Sequence, residues 1–131
     1  MEERTQPVPV VPVAELAREY GWQLVVLFGS VAREGQGRDV DLAVMPLAIP
    51  ELFTEARWLR RLEEVVQRPV DLLLLHAGTS PLARFEVFRD GIPLYQDRPG
   101  RFEEEQDRAF FLHADARLFR QHAEEEMDGI G

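Results

Sequence analysis

The segment Leu27-Phe28-Gly29-Ser30, followed after eight residues by Asp39-Val40-Asp41-Leu42-Ala43-Val44, decides how the chain is read. The first part closes a nearly continuous apolar run from Gln23 through Leu24, Val25, Val26, Leu27 and Phe28. Its length and branched residues predict a buried strand. Gly29-Ser30 ends that strand and opens a short turn or helix, and Gly35 and Gly37 make the rest a loop. Free backbone N–H groups at such a strand end, together with the Ser30 hydroxyl, suit an anion such as phosphate. Asp39 to Met45 alternates and predicts a second strand. Asp39 and Asp41 are two apart on it, so both side chains emerge on one face, about 6 to 7 Å apart. Two such carboxylates repel when empty and share cations well.

Outward from this centre, Val13, Leu16, Ala17 and Tyr20 fall at helical spacing, with Gly21 at the position of a C-terminal glycine. Met1 to Pro12, with Pro7, Pro9 and Pro12, reads as an extended arm. Downstream, Pro50 to about Gln67 carries an apolar stripe of Leu52, Ala56, Leu59, Leu62 and Val66, and Arg68-Pro69 ends it. Val70 to Leu75 reads as a third buried strand interrupted by one acid, Asp71. A lone buried carboxylate costs several kcal/mol unless it is compensated. A third strand beside the second would bring Asp71 to the Asp39–Asp41 pair. Three acids near an anion cradle suit Mg²⁺ and a nucleoside triphosphate. Ser80-Pro81 is a cap followed by an N1 proline, opening a helix that ends at Asp90-Gly91. Ile92 to Tyr95 forms a short fourth strand. From Arg101, Ala109, Leu112, Ala116, Phe119 and Ala123 set a helical seam. Glu103 to Glu105 sit at its favoured N-terminal end, and Glu124 to Glu126 at the disfavoured end. The fold class is therefore α/β (α+β): a small mixed sheet flanked by helices, with a C-terminal helix.

The composition bounds the function. The 131 residues (15.1 kDa) suit one domain, and 45% hydrophobic with 30% charged residues is an ordinary globular balance. Cysteine is absent, and all 15 basic residues are arginine. Thiolate catalysis, disulfides, thiolate zinc sites and lysine Schiff bases are excluded. No apolar run approaches a membrane span, and Met1 to Thr5 lacks the basic, then apolar, pattern of a secretory signal, so a cytoplasmic setting is expected. A net charge of −9 argues against gripping nucleic acid directly and favours cations or a partner with a basic surface.

The order strand, Gly-Ser, loop, Asp-x-Asp strand, helix, Asp-bearing strand resembles the DNA polymerase beta-like nucleotidyltransferase superfamily. More closely it resembles the stand-alone minimal nucleotidyltransferases of bacteria and archaea. The resemblance covers roughly residues 13 to 96, and Ser80-Pro81-Leu82, Asp90-Gly91 and Leu94-Tyr95 match the family's usual ending. It leaves 1–12 as an arm and 97–131 as a helix packed on the domain or on a partner. It implies that Gly29 and Ser30 hold the triphosphate of ATP, that Asp39 and Asp41 are paired metal ligands, and that Asp71 is the third carboxylate, helping to activate an acceptor hydroxyl. The implied cofactor is Mg²⁺ in a two-metal site. Family members often pair with a helical ribonuclease toxin of the HEPN type and act as its antitoxin, by adding AMP to it or by binding it. The expected activity is AMP transfer to a partner hydroxyl. The alternatives are a non-catalytic antitoxin with a vestigial site, or transfer to a small molecule, with a homo-oligomer supplying the missing acceptor domain.

Two features depart from the family pattern: the loop between Ser30 and Asp39 has eight residues rather than about ten, and Arg38 stands where serine is usual. Arg38 is placed to contact triphosphate, or to pair with Asp39 and Asp41 when metal is absent. Arg33 is a further phosphate candidate. Arg108 with His113, and Arg117 with His122, reproduce a HEPN spacing by coincidence, because too little chain remains for a helical bundle. His76 reads as a strand-end surface residue, and Trp22 and Trp58 as core or partial cover.

Overall fold

The computed structural model describes residues 8–130. Five helices and four strands alternate: α1 (Val10–Tyr20), β1 (Leu24–Phe28), α2 (Gly29–Glu34), β2 (Val40–Met45), α3 (Leu52–Val66), β3 (Val70–Leu74), α4 (Pro81–Arg89), β4 (Ile92–Gln96) and α5 (Arg101–Ile130). The sheet order is β3-β2-β1-β4. β1 lies antiparallel to both β2 and β4, while β2 and β3 are parallel, as their connection through α3 requires. The sheet is mixed and flanked by helices, as the sequence implies.

Strand alternation separates two cores. Val25, Leu27, Val40, Leu42 and Val44 meet α1 and α3 through Leu16, Trp58 and Leu62. Leu24, Val26 and Ala43 meet α4 and α5 through Val87, Phe88, Phe102 and Ala109. Trp22 and Trp58 are core residues, packed with Tyr20 at ring separations of 5.3 to 5.7 Å.

Three expectations change. The part of the arm at residues 1–7 lies outside the described residues, but Val8 is buried in the core and α1 begins at Val10. Pro12 therefore lies in the first helical turn, where a missing N–H leaves no intrahelical bond unmade. The third strand expected over Val70 to Leu75 is buried only at its two ends, Val70 and Leu75. β3 is the sheet edge, so Leu72 to Leu74 are half-buried and Asp71 is exposed. Water solvates its carboxylate, and no compensation for burial is needed.

The seam of α5 also shifts. Its buried side chains are Phe102, Glu105 and Ala109, whereas Leu112 is 36% and Phe119 76% exposed. Gln106 donates to the Phe88 carbonyl at 2.9 Å, and His113 stacks on Phe85 with centroids 4.0 Å apart. Among the described residues, the side chains that α5 buries on its own domain all lie in its first part, against α4. Among the described residues no helix is long and apolar enough to cross a membrane.

Candidate active site

The register across three strands builds the site. Phe28 on β1 lies opposite Asp41 on β2, and Asp41 lies opposite Asp71 on β3. Period-two alternation puts this row on the face covered by α4, with Val26, Ala43 and Leu73. The two apolar cores bury their neighbours along each strand, so a one-residue slip would carry both acids to the opposite face.

The turn after β1 fits against this row. Gly29 begins α2 with φ +76°, in the left-handed region. A Cβ added there would stand 2.1 Å from Asp41 Oδ2 and 2.8 Å from its Cγ, so only glycine lets the carboxylate lie against the turn. Gly29, Asp41 and Arg33 line one cavity of about 360 Å³, together with Phe28, Glu86 and Arg89. Asp41 and Asp71 line a neighbouring cavity of about 310 Å³, with Phe28, Leu73, Ala83 and Glu86.

Ser30 follows Gly29 inside α2, with its hydroxyl against Gly37: a Cβ at Gly37 would come within 2.8 Å of Ser30 Oγ. Arg68 donates to the Gly37 carbonyl at 2.8 Å, fastening the short loop to the end of α3. Asp39 is exposed in a bend just before β2 rather than within the strand. Arg38 is also exposed, and among the described residues no ion pair joins it to Asp39 or Asp41. Facing solvent, it is hydrated there instead. His76 closes its own turn, its Nδ1 accepting from Gly78 N at 2.9 Å, and takes no part in the acidic row.

Electrostatics ties the acids together. Partial burial pushes the Asp41 carboxyl above the ordinary carboxylate range; the charges of Asp71 and then Asp39 push the same way, and Arg33 opposes them. Asp41 thus lies in the field of both other acids. Among the described residues no three acidic or histidine side chains are gathered into a ready-made cation cage. Asp41 and Asp71, in register on β2 and β3, are hard oxygen donors of the kind Mg²⁺ takes, and its charge would offset the repulsion that Arg33 opposes only in part.

Glu86 and Arg89 escaped the sequence reading. They sit on α4, one turn apart, and reach the cleft because α4 crosses the Phe28–Asp41 row. A Glu three residues before an Arg on a helix looks like an ordinary solvated pair, so the sequence carried no usable signal.

A strand–turn–strand unit bearing these acids defines a nucleotide-transfer fold. The chain belongs to the polymerase beta nucleotidyltransferase family, whose pattern matches residues 13–99. No curated protein sequence matches it. Among solved structures, a chain of a toxin–antitoxin crystallised with AMP-PNP has a TM-score of 0.75 and 21% identity, over 92% of this chain and 98% of that one. A chain from a complex of tri-AMPylated Shewanella oneidensis HEPN toxin with MNT antitoxin has a TM-score of 0.68 and 20% identity, over 88% and 92%. The MntA-HepT toxin–antitoxin gives a TM-score of 0.67 and 20% identity over the same shares. At these identities the likeness is one of fold.

Proposed function

We propose that this chain is the antitoxin of a HEPN-type toxin and transfers AMP from ATP to a hydroxyl of that partner. The observation that carries the reading is the Asp41–Asp71 pair, in register on adjacent strands, with the Asp41 carboxylate held against the Gly29 turn. Family membership supports nucleotide transfer. The AMP-PNP and tri-AMPylated complexes of similar fold support ATP as donor and the toxin as acceptor.

In this reading Asp39, Asp41 and Asp71 would hold Mg²⁺, which would supply positive charge to the triphosphate and to the attacking oxygen. The backbone of the Gly29-Ser30 turn, with Arg33 and Arg38, orients the β- and γ-phosphates. Asp71, exposed at the sheet edge, faces the incoming hydroxyl and draws off its proton. The acceptor oxygen bonds to the α-phosphorus as the bond to the bridging oxygen breaks. Pyrophosphate departs with that electron pair.

The test is incubation of the chain with its neighbouring-frame HEPN protein, Mg²⁺ and ATP labelled at the α-phosphate. Label should appear on the partner, and Asp71→Asn should lower the rate by roughly 10²- to 10⁴-fold. Tight complex formation with no label transferred would replace this reading with that of a non-catalytic antitoxin.

A further inference from the structure

The cleft around Asp41 has two unlike sides. The cavity on the Gly29 side sets two guanidinium groups, Arg33 and Arg89, against the acids Asp41 and Glu86, with Arg89 also paired to Asp90 at 2.9 Å. The cavity on the Asp71 side has only acids among its charged lining residues, Asp41, Asp71 and Glu86. Beyond it, sharing Asp71 and Leu72, lies a groove of about 280 Å³ between α3 and the sheet edge. Its apolar wall is Leu52, Ala56, Leu59 and Leu72, and its charged residues are Glu55 and Asp71. Leu52 is 77% exposed, far more than an apolar stripe facing a core would be.

The backbone of β3 is open at the same place. Val40 N donates to the Pro69 carbonyl and Leu75 N to the Val44 carbonyl, so odd-numbered residues of β3 bond to β2. In a parallel strand the even-numbered residues then turn their N–H and C=O outward. The outer ends are occupied: Glu63 accepts from Val70 N at 3.0 Å, and Thr79 donates to the Leu74 carbonyl at 2.9 Å. Between them the N–H and C=O of Leu72 face outward, and among the described residues no strand lies beyond β3.

We infer that the β3 edge and the α3 groove seat the acceptor, an extended, arginine- or lysine-bearing segment of the partner protein. The inference rests on the transferase reading and names the acceptor's chemistry. Triphosphate is anionic and goes to the arginine side, and the acidic side repels a second anion and attracts a cationic chain. A segment added at Leu72 gains main-chain hydrogen bonds. Its successive side chains alternate between the two faces of the sheet. One apolar side chain fills the groove between Leu52 and Leu59, and its immediate neighbour in sequence presents a hydroxyl on the Asp71 face. The acceptor residue is therefore flanked by an apolar residue, with a basic residue close by to meet Glu55.

The test uses two short fluorescent peptides, each with a central Leu-Tyr, one flanked by arginines and the other by glutamates. Anisotropy should show the arginine peptide binding about tenfold or more tighter than the glutamate peptide. Leu52→Glu and Glu55→Arg should each weaken its binding by about tenfold while leaving AMP-PNP affinity unchanged. No binding, equal binding of the two peptides, or binding indifferent to both substitutions overturns the inference. AMP incorporation from labelled ATP separates the two readings. Groove-dependent binding without transfer keeps the acceptor seat and removes the transferase. Transfer that both groove variants perform like the native chain keeps the transferase and removes the seat.

Discussion

The carboxylate of Asp41 lies directly over the Cα of Gly29, so closely that a single methyl group at position 29 would overlap Oδ2. The contact joins the two halves of the sequence signature, the turn after β1 and the acidic start of β2. Gly29→Ala should therefore act twice. It places a side chain at φ +76°, and it drives the Asp41 carboxylate from its place. The expected loss of stability is about 1 to 3 kcal/mol, read from urea melts. The stabilisation given by Mg²⁺ with ATP should fall by more than this strain explains. A Gly29→Ala chain with native nucleotide-induced stabilisation would show that the close contact does not serve the site.

Asp41 has its carboxyl raised above 3.8, first by burial and then by Asp71 and Asp39. The native state then binds the proton more readily than the unfolded chain does. Below pH 3.8 both states are protonated and the group is neutral to stability. As pH rises through 3.8 and then through the raised native value, an energetic penalty accrues and persists at neutral pH. Asp41→Asn removes that penalty. The variant without metal should gain stability over the native chain at pH 7, and the gain should shrink toward pH 3 to 4. Mg²⁺ should stabilise the native chain and leave the variant largely unaffected. A variant less stable than the native chain at pH 7 would make Asp41 a structural acid.

Much of this site was legible because its parts are local. Asp41 takes its face from the period-two alternation of β2, and Gly29-Ser30 closes a run apolar enough for a central strand, whereas Asp39, in the bend before β2, lies outside that alternation. The missing information was tertiary. Val-Asp-Leu-Leu-Leu reads as a buried strand, and only the sheet order puts β3 at an edge with Asp71 in solvent. In Glu103-Glu104-Glu105 nothing local distinguishes the third acid, yet Glu105 is 2% exposed while its neighbours are solvated. Its partner Arg84 lies on another helix. Of the seam Ala109, Leu112, Ala116, Phe119 and Ala123, Ala109 is buried as expected while Leu112 and Phe119 are exposed, and the buried line runs back through Glu105 to Phe102.

That acid supports a third prediction. Glu105 Oε1 lies 3.8 Å from Arg84 Nη1, with both side chains buried, and Arg101 approaches the other oxygen at 3.9 Å. Arg84 Nη2 also donates to the His76 carbonyl, at 2.6 Å, so the pair joins α5, α4 and the loop after β3. Burial disfavours the charged guanidinium, and Glu105 offsets this. Glu105→Ala leaves Arg84 buried without its counter-ion and should cost about 3 to 5 kcal/mol in chemical denaturation. Replacing both residues with leucine should recover most of that loss. A single variant within about 0.5 kcal/mol of native would show that the pair is already solvated.

The fourth prediction concerns the length of α5 that the domain needs. The helix is fixed by Phe102, Glu105 and Ala109, by the Gln106 bond to Phe88 and by the His113–Phe85 stack. All of these anchors lie before residue 115. Beyond it, Leu118 is 53% exposed and Phe119 76%, so they make little contact with the domain. Removing residues 115–131 should leave the unfolding free energy within about 0.5 kcal/mol of native, since surface changes away from packed features rarely exceed that. Removing residues 101–131 is different in kind. It uncovers Phe88 and strips Glu105 from Arg84, and losing a buried aromatic contact and a buried counter-ion together should cost about 6 to 10 kcal/mol, comparable with the roughly 5 to 15 kcal/mol by which a domain of this size is stable. The shorter deletion should give a cooperative melt that coincides with the native one; the longer should give none. Equal destabilisation by the two deletions would mean that the distal half of α5 is packed after all.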